Sequence, residues 1–247
     1  MMDQLPLPKK IDVQPTDRPN EAIVTIEPCF PGYGMTLGNA LRRVLLSSLP
    51  GAAVSAIAIK SVQHEFSAIP YVKEDVVTLI LNTKLIRFRL HDQEPVTVSL
   101  HVKGAKEVTA ADIKTTSDVD VVNPDQHIAS LTDAAAELEI EFTVTPGRGY
   151  VPVENREKEK LPLGTIAIDA IYTPVTNVNF DMEHVRVEQM TNFDRLILTV
   201  RTDGTISPAE AVRQSASVLT QHFNFLESIV PADDLAVAET PKKKRAS

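Results

Sequence analysis

The period of apolar and polar positions changes along this chain, and each change marks an element. Residues 1–20 carry Pro6, Pro8, Pro15 and Pro19 among few apolar side chains, which predicts an extended arm. Glu21–Glu27 alternates around Ile23, Val24 and Ile26 and reads as a strand. A turn-rich stretch, Pro28-Cys29-Phe30-Pro31-Gly32-Tyr33-Gly34, follows. The next spacing predicts a helix from about Leu37 to Ser48. Thr36 is its expected N-cap, because a threonine hydroxyl accepts a free N–H of the first turn. Pro50-Gly51 is its stop. From Ala53 both alternating sets, Val54/Ala56/Ala58 and Ser55/Ile57/Ile59, are small or apolar, so this is a largely buried strand. Residues 73–83 fit helix or strand; their length and the opening Lys73-Glu74-Asp75 favour a short helix.

Leu85–Leu90, Pro95–Val102, Val119–Val122 and Glu137–Thr145 are strand-like. The last alternates cleanly, with Leu138, Ile140, Phe142 and Val144 on one face. Gly147-Arg148-Gly149 reads as a turn and Glu154–Lys160 as a charge-rich surface loop. Further strands are expected at Thr165–Tyr172, His184–Met190 and Arg195–Arg201. Asp203-Gly204 is a turn. Ser207-Pro208-Ala209-Glu210 then opens a second helix with a cap, a first-position proline and a capping-box glutamate, and that helix should reach about Ile229. Residues 231–247 read as a disordered basic tail ending in Lys242-Lys243-Lys244-Arg245. The class is α+β, mostly antiparallel.

Each helix has two faces. At about 100° per residue, Leu37, Ala40, Leu41, Val44, Leu45 and Ser48 share the inward side of the first helix. Asn39, Arg42, Arg43 and Leu46 lie outward, as a solvated face with one apolar residue or as a partner surface with arginines around an apolar anchor. In the second helix Val212, Ala216, Leu219, Phe223, Leu226 and Val230 follow a heptad seam, with Val218, Phe225 and Ile229 beside it. The two stripes form one broad core-facing surface, or pack on the protein's own sheet and on another chain. A symmetric homodimer is the natural form of the second reading.

Composition narrows the chemistry. The 247 residues carry 25 basic and 33 acidic side chains, a net charge of −8, against the basic balance of a general nucleic-acid binder. Cys29 is the only cysteine, so no internal disulfide forms and a reducing, cytoplasmic setting is expected. No apolar run reaches membrane-spanning length, and residues 1–19 lack a signal-peptide pattern. One cysteine and six scattered histidines argue against a zinc site, and no nucleophile motif is present. Gly32–Gly38 lacks the spacing of a phosphate loop and reads as a helix entry. No catalytic, cofactor or metal residue is therefore expected.

Several spaced motifs go further. Gly32–Ser48 (GYGMTLGNALRRVLLSS) closely resembles the signature of the bacterial DNA-directed RNA polymerase alpha-subunit family. His64-Glu65-Phe66, Val108–Ile113, Gly147–Pro152, Arg186–Gln189 and Asp203–Ile206 resemble its later landmarks, in order. The resemblance covers about residues 10–230. It implies a dimerisation domain built from residues 1–50 and 174–230, an inserted strand-rich domain at 51–173, and a flexible basic tail at 231–247. By position it implies a dimer interface of Tyr33, Leu37, Leu41, Val44, Leu219, Phe223 and Leu226. It implies a beta-subunit contact at Asn39, Arg42, Arg43 and Leu46, with Arg43 foremost, and further partner contacts near Tyr172–Asn179.

The implied role is a non-catalytic scaffold that homodimerises, then recruits the beta and beta-prime subunits, one copy facing each. Omega and sigma join in the holoenzyme. DNA is reached only through the complex, and the metal ions of nucleotidyl transfer are expected on the large subunits. The family usually continues into a C-terminal DNA-binding domain, whereas this sequence ends in what resembles the linker. The alternative is a stand-alone dimeric transcription regulator that uses its basic tail.

Overall fold

The computed structural model describes residues 5–156, 162 and 164–229. Its first sheet is made by the two ends of the chain. Strands β1 (Lys10–Pro15) and β2 (Glu21–Cys29) come from the start. Between β2 and β3 (Pro50–Ile59) runs helix α1 (Tyr33–Ser47). After β3 come α2 (Val76–Thr83), β4 (Phe88–Leu90), β5 (Val96–Lys103), β6 (Lys106–Thr109), β7 (Ile113–Lys114) and β8 (Val119–Val121). Then follow β9 (His127–Leu131), β10 (Glu137–Arg148), β11 (Tyr150–Val151), β12 (Thr165–Ala167) and β13 (Ala170–Ile171). The last described elements are the hairpin β14 (Val175–Val187) and β15 (Met190–Thr202), then α3 (Pro208–Ile229).

The order β1-β2-β15-β14 forms a four-stranded sheet, and β7-β5-β10-β3-β4-β8, with β12 on β3, forms a seven-stranded one. Every pairing is antiparallel, as the alternating segments predict. Each sheet has its own core. The larger gathers Ile57, Leu79, Phe88, Leu100, Ile128, Ile140 and Phe142. The smaller packs Val24, Ile26, Leu196, Leu198 and Val200 against Leu41 and Leu45 of α1 and Ala211 of α3. Arg89 of β4 joins the two halves by donating from Nε to the Thr205 carbonyl (2.9 Å) and from Nη2 to that of Gly204 (3.0 Å).

Several boundaries depart from the sequence reading, each for a physical reason. The expected arm contains β1, which pairs along β2 from Lys10↔Glu27 to Pro15↔Ala22; as an edge strand it tolerates Pro15. β3 begins at Pro50, where the first helix was expected only to stop. Of Leu85–Leu90 only Phe88–Leu90 is strand, because Leu85 and Ile86 donate back to the Asn82 and Thr83 carbonyls and close α2. Gly147 and Arg148 continue β10 opposite Gly51 and Pro50, so only Gly149 turns, at φ +66°. Thr165–Tyr172 divides into β12 and β13.

The expected strand His184–Met190 straddles a hairpin turn, with Glu188 at φ +55°. The first half of β14 was hidden because a register shift between Val175 and Asn177 breaks the two-residue period, so Val175 and Val178 are both buried. Residues 73–83 do open into a helix, capped by Asp75, whose Oδ1 accepts from the Thr78 amide at 2.8 Å. Ser207 Oγ likewise accepts from the Glu210 amide at 3.2 Å. The Glu210 carboxylate, however, turns to Arg213 and Gln214 instead of closing the box. Residues 157–160 of the expected charged loop, Val230 of the seam and the tail 231–247 lie outside the described residues.

Candidate interaction surface

α1 starts a full turn before the expected Leu37, and Thr36 is an exposed residue inside it, not its cap. Gly32 stands at the N-cap with φ +85° and no side chain to offer. The missing acceptor comes from β15. Asp194 Oδ2 accepts from the Gly32 amide at 2.8 Å and from the Gly34 amide at 3.3 Å. The helix then lies flush on the β14–β15 hairpin. A Cβ at Gly34 would stand 2.6 Å from Met182 Cε, and one at Gly38 would stand 2.8 Å from Phe180. At Gly38 a side chain would have to displace the Phe180 ring and Leu196, and at Gly34 the end of the Met182 side chain would have to move. Gly34, Gly38, Leu41 and Leu45 are buried, one at each successive turn.

That seating turns Asn39, Arg42, Arg43 and Leu46 outward, and all four are exposed. Asn39 Nδ2 donates to the Met35 carbonyl at 3.1 Å, which ties its amide to its own helix. Neither Arg42 nor Arg43 has a carboxylate partner among the described residues. Leu46 between them is 37% exposed. The result is a pair of guanidiniums and an apolar side chain on a fixed helix, able to make bidentate hydrogen bonds to carboxylates or carbonyls.

The expected pairing residues divide. Leu41 is 6% exposed and belongs to the chain's own core, so this single chain has little of it left to offer. Leu37 and Leu219 pack against the same core, and Val44 is half-buried. Tyr33 is 46% exposed, its ring edge-on to Phe30, whose ring is in turn edge-on to Phe193. In α3 the buried residues are Ala211 and Ser215, whereas every residue from Thr220 to Ile229 is exposed. Phe223 is 62% and Leu226 55% exposed. Phe225 and Ile229, noted as a second stripe but not placed in the pairing set, are just as bare. Asp194 gave no signal in the sequence, because its acceptor role depends on a partner 162 residues away.

Other polar groups cluster away from α1. Glu74 accepts from the Ser130 amide (2.7 Å) and hydroxyl (3.0 Å) and meets His127 Nε2 at 3.1 Å, tying the start of α2 to β9. His101, Glu137 and Glu139 bring ligand-type atoms within 4.8 Å of one another at the surface. Bonds from His101 and Lys103 hold the Glu137 carboxyl below its ordinary range, and Lys60 does the same for Glu139. Among the described residues no helix is long and apolar enough to cross a membrane.

Residues 57–173 match the RNA polymerase Rpb3/RpoA insert domain. The chain is 50% identical over 201 residues to the DNA-directed RNA polymerase subunit alpha of Alkaliphilus oremlandii, covering 81% of this chain and 63% of that relative. It is 47% identical over 215 residues to that of Symbiobacterium thermophilum, covering 87% and 68%. For Clostridium botulinum strain Hall the figures are 49% over 224 residues, 89% and 71%. The chain thus spans less than two thirds of the first of these relatives and little more of the others.

Proposed function

The chain belongs to the DNA-directed RNA polymerase alpha-subunit family, and on that premise we propose that it is the non-catalytic scaffold on which the polymerase assembles. Two copies pair through the helical side of the smaller sheet, and the pair recruits the beta and then the beta-prime subunit in the cytoplasm. Omega and sigma complete the holoenzyme, which carries the nucleotidyl-transfer metals on its large subunits and contacts DNA on behalf of this chain. The pairing unit is residues 1–50 with 174–230, and 51–173 is the insert.

The observation that carries this reading is the bare apolar end of α3, where Phe223, Phe225, Leu226 and Ile229 project from a helix whose first half is packed. Four large apolar side chains within three turns form a patch that association would remove from water. Pairing by a two-fold axis uses the same residues on both copies and leaves no unmatched patch. It also presents Arg42 and Arg43 twice, once for each large subunit. Because beta and beta-prime differ, two identical faces become inequivalent only when the partners dock.

The test is co-expression of the chain with the beta subunit, purification through a tag on beta, and measurement of stoichiometry. Two copies per beta are expected, with retention reduced by Arg43→Ala. A beta preparation free of this chain contradicts the proposal.

A further inference from the structure

We propose that Asp194 is a positioning residue, whose buried carboxylate holds the first turn of α1, and with it Tyr33, in the geometry that self-pairing requires. This rests on the pairing reading above.

The start of a helix leaves its first amides without intrahelical partners. α1 has no local side chain to satisfy them, since its first turn holds no acidic residue and its N-cap is a glycine. The backbone supplies one acceptor, the Phe30 carbonyl to the Tyr33 amide at 2.9 Å. Asp194 supplies the acceptor on either side of it, at Gly32 and Gly34. A carboxylate at a helix N-terminus adds its charge to the favourable end of the helix dipole and makes charge-assisted bonds. Asp194 is 3% exposed, so water is a poor substitute.

The carboxylate is itself fixed. Asp194 pairs with His184 on one side and Cys29 on the other, and its Oδ1 faces His184 Nδ1 at 3.6 Å. Its Cβ lies 3.0 Å from where a Gly34 side chain would begin, so the contact is as close as a bare backbone allows. The neighbouring Phe193 meets Phe30, and Phe30 meets Tyr33. Two adjacent residues of β15 therefore set both the backbone and the ring of the exposed end of α1. Arg43 lies about 15 Å further along the helix at 1.5 Å per residue, beyond the buried turns at Gly38 and Leu41. Loss of the cap should disturb Tyr33 and leave the arginine face in place.

The experiment compares Asp194→Ala and Asp194→Asn in the full chain. Amide hydrogen exchange is followed over Phe30–Leu37 and over β2 and β15, and self-association by sedimentation equilibrium. In the alanine variant, exchange should rise about tenfold in the first turn alone, and the pairing constant should weaken about tenfold, the scale of a lost cap. Asparagine keeps a neutral acceptor and should restore part of both. Unchanged exchange in the first turn overturns the cap. Raised exchange with unchanged pairing overturns the positioning role. Exchange rising equally through β2 and β15 in both variants shows a general packing defect and overturns it also. A wild-type chain that stays monomeric removes the pairing reading, and with it this role; the exchange in the first turn then still decides whether Asp194 caps α1.

Discussion

The two long helices rest on the same sheet in different ways. α1 buries a residue at every turn from Gly34 to Leu45 and is capped by the strand beneath it. α3 buries Ala211 and Ser215, and from Thr220 to Ile229 every residue is exposed among the described residues. A helix held along its length offers its outer side chains in fixed positions, so a partner that grips Arg43 need not order it first. A helix segment held at one end is different. Isolated stretches shorter than about 12–15 residues are marginal in water, so the apolar end of α3 needs a second surface. α1 is a finished element that presents a face, and α3 is an unfinished core.

The largest effect is expected where α3 is unfinished. Phe223→Ala should leave the unfolding midpoint of the isolated fold nearly unchanged while costing roughly 3–5 kcal/mol of pairing, the scale of a buried phenylalanine. Sedimentation equilibrium alongside urea unfolding separates the two. A lowered midpoint with unchanged mass would mean that the chain covers this end itself. On the finished helix, Arg43→Ala should leave pairing and unfolding intact and weaken beta-subunit binding by about 2 kcal/mol or more, as interface arginines do. Titration of labelled beta measures it; lost pairing would show that the two faces are not separate.

The seat of α1 is tested by Gly38→Ala, which drives a methyl into Phe180 and Leu196. It should destabilise by about 1–3 kcal/mol in urea unfolding. A neutral result would mean that α1 does not lie flush. The smallest effect concerns the packed start of α3. Bonds from Arg213 and then Gln214 lower the Glu210 pKa to about 2 from 4.5. A depressed carboxylate pKa stabilises the fold above the unfolded value and loses that contribution as pH falls from about 4.5 through about 2. The side chain is only half-buried, so solvent screens the effect. Glu210→Gln should flatten this part of the acid-unfolding curve slightly and leave the rest unchanged.

What could be read from the sequence follows the same division. The outward set Asn39, Arg42, Arg43 and Leu46 was legible because helix periodicity alone decides which residues share a face. The start of α1 was not, because its cap comes from Asp194 on a distant strand and Thr36 is an attractive local decoy. The family resemblance placed Leu41 and Phe223 in one pairing set. Helix periodicity states direction but not how much of a face the chain already covers, and Leu41 is already in the core. The two-residue pattern revealed β10 along its length but failed for β14, where a bulge shifts the parity. The family motifs of α1 carried the functional reading further than any of these patterns.

Whether this chain completes its smaller core with a second copy of itself can be read from the mass of the full chain in solution. Sedimentation equilibrium over a wide concentration range should give twice the 27.1 kDa chain mass. That mass should fall to the single-chain value in Phe223→Ala at concentrations where the wild type stays paired. A wild-type mass of 27.1 kDa at every concentration would mean that the chain does not pair and that the apolar end of α3 stays in water.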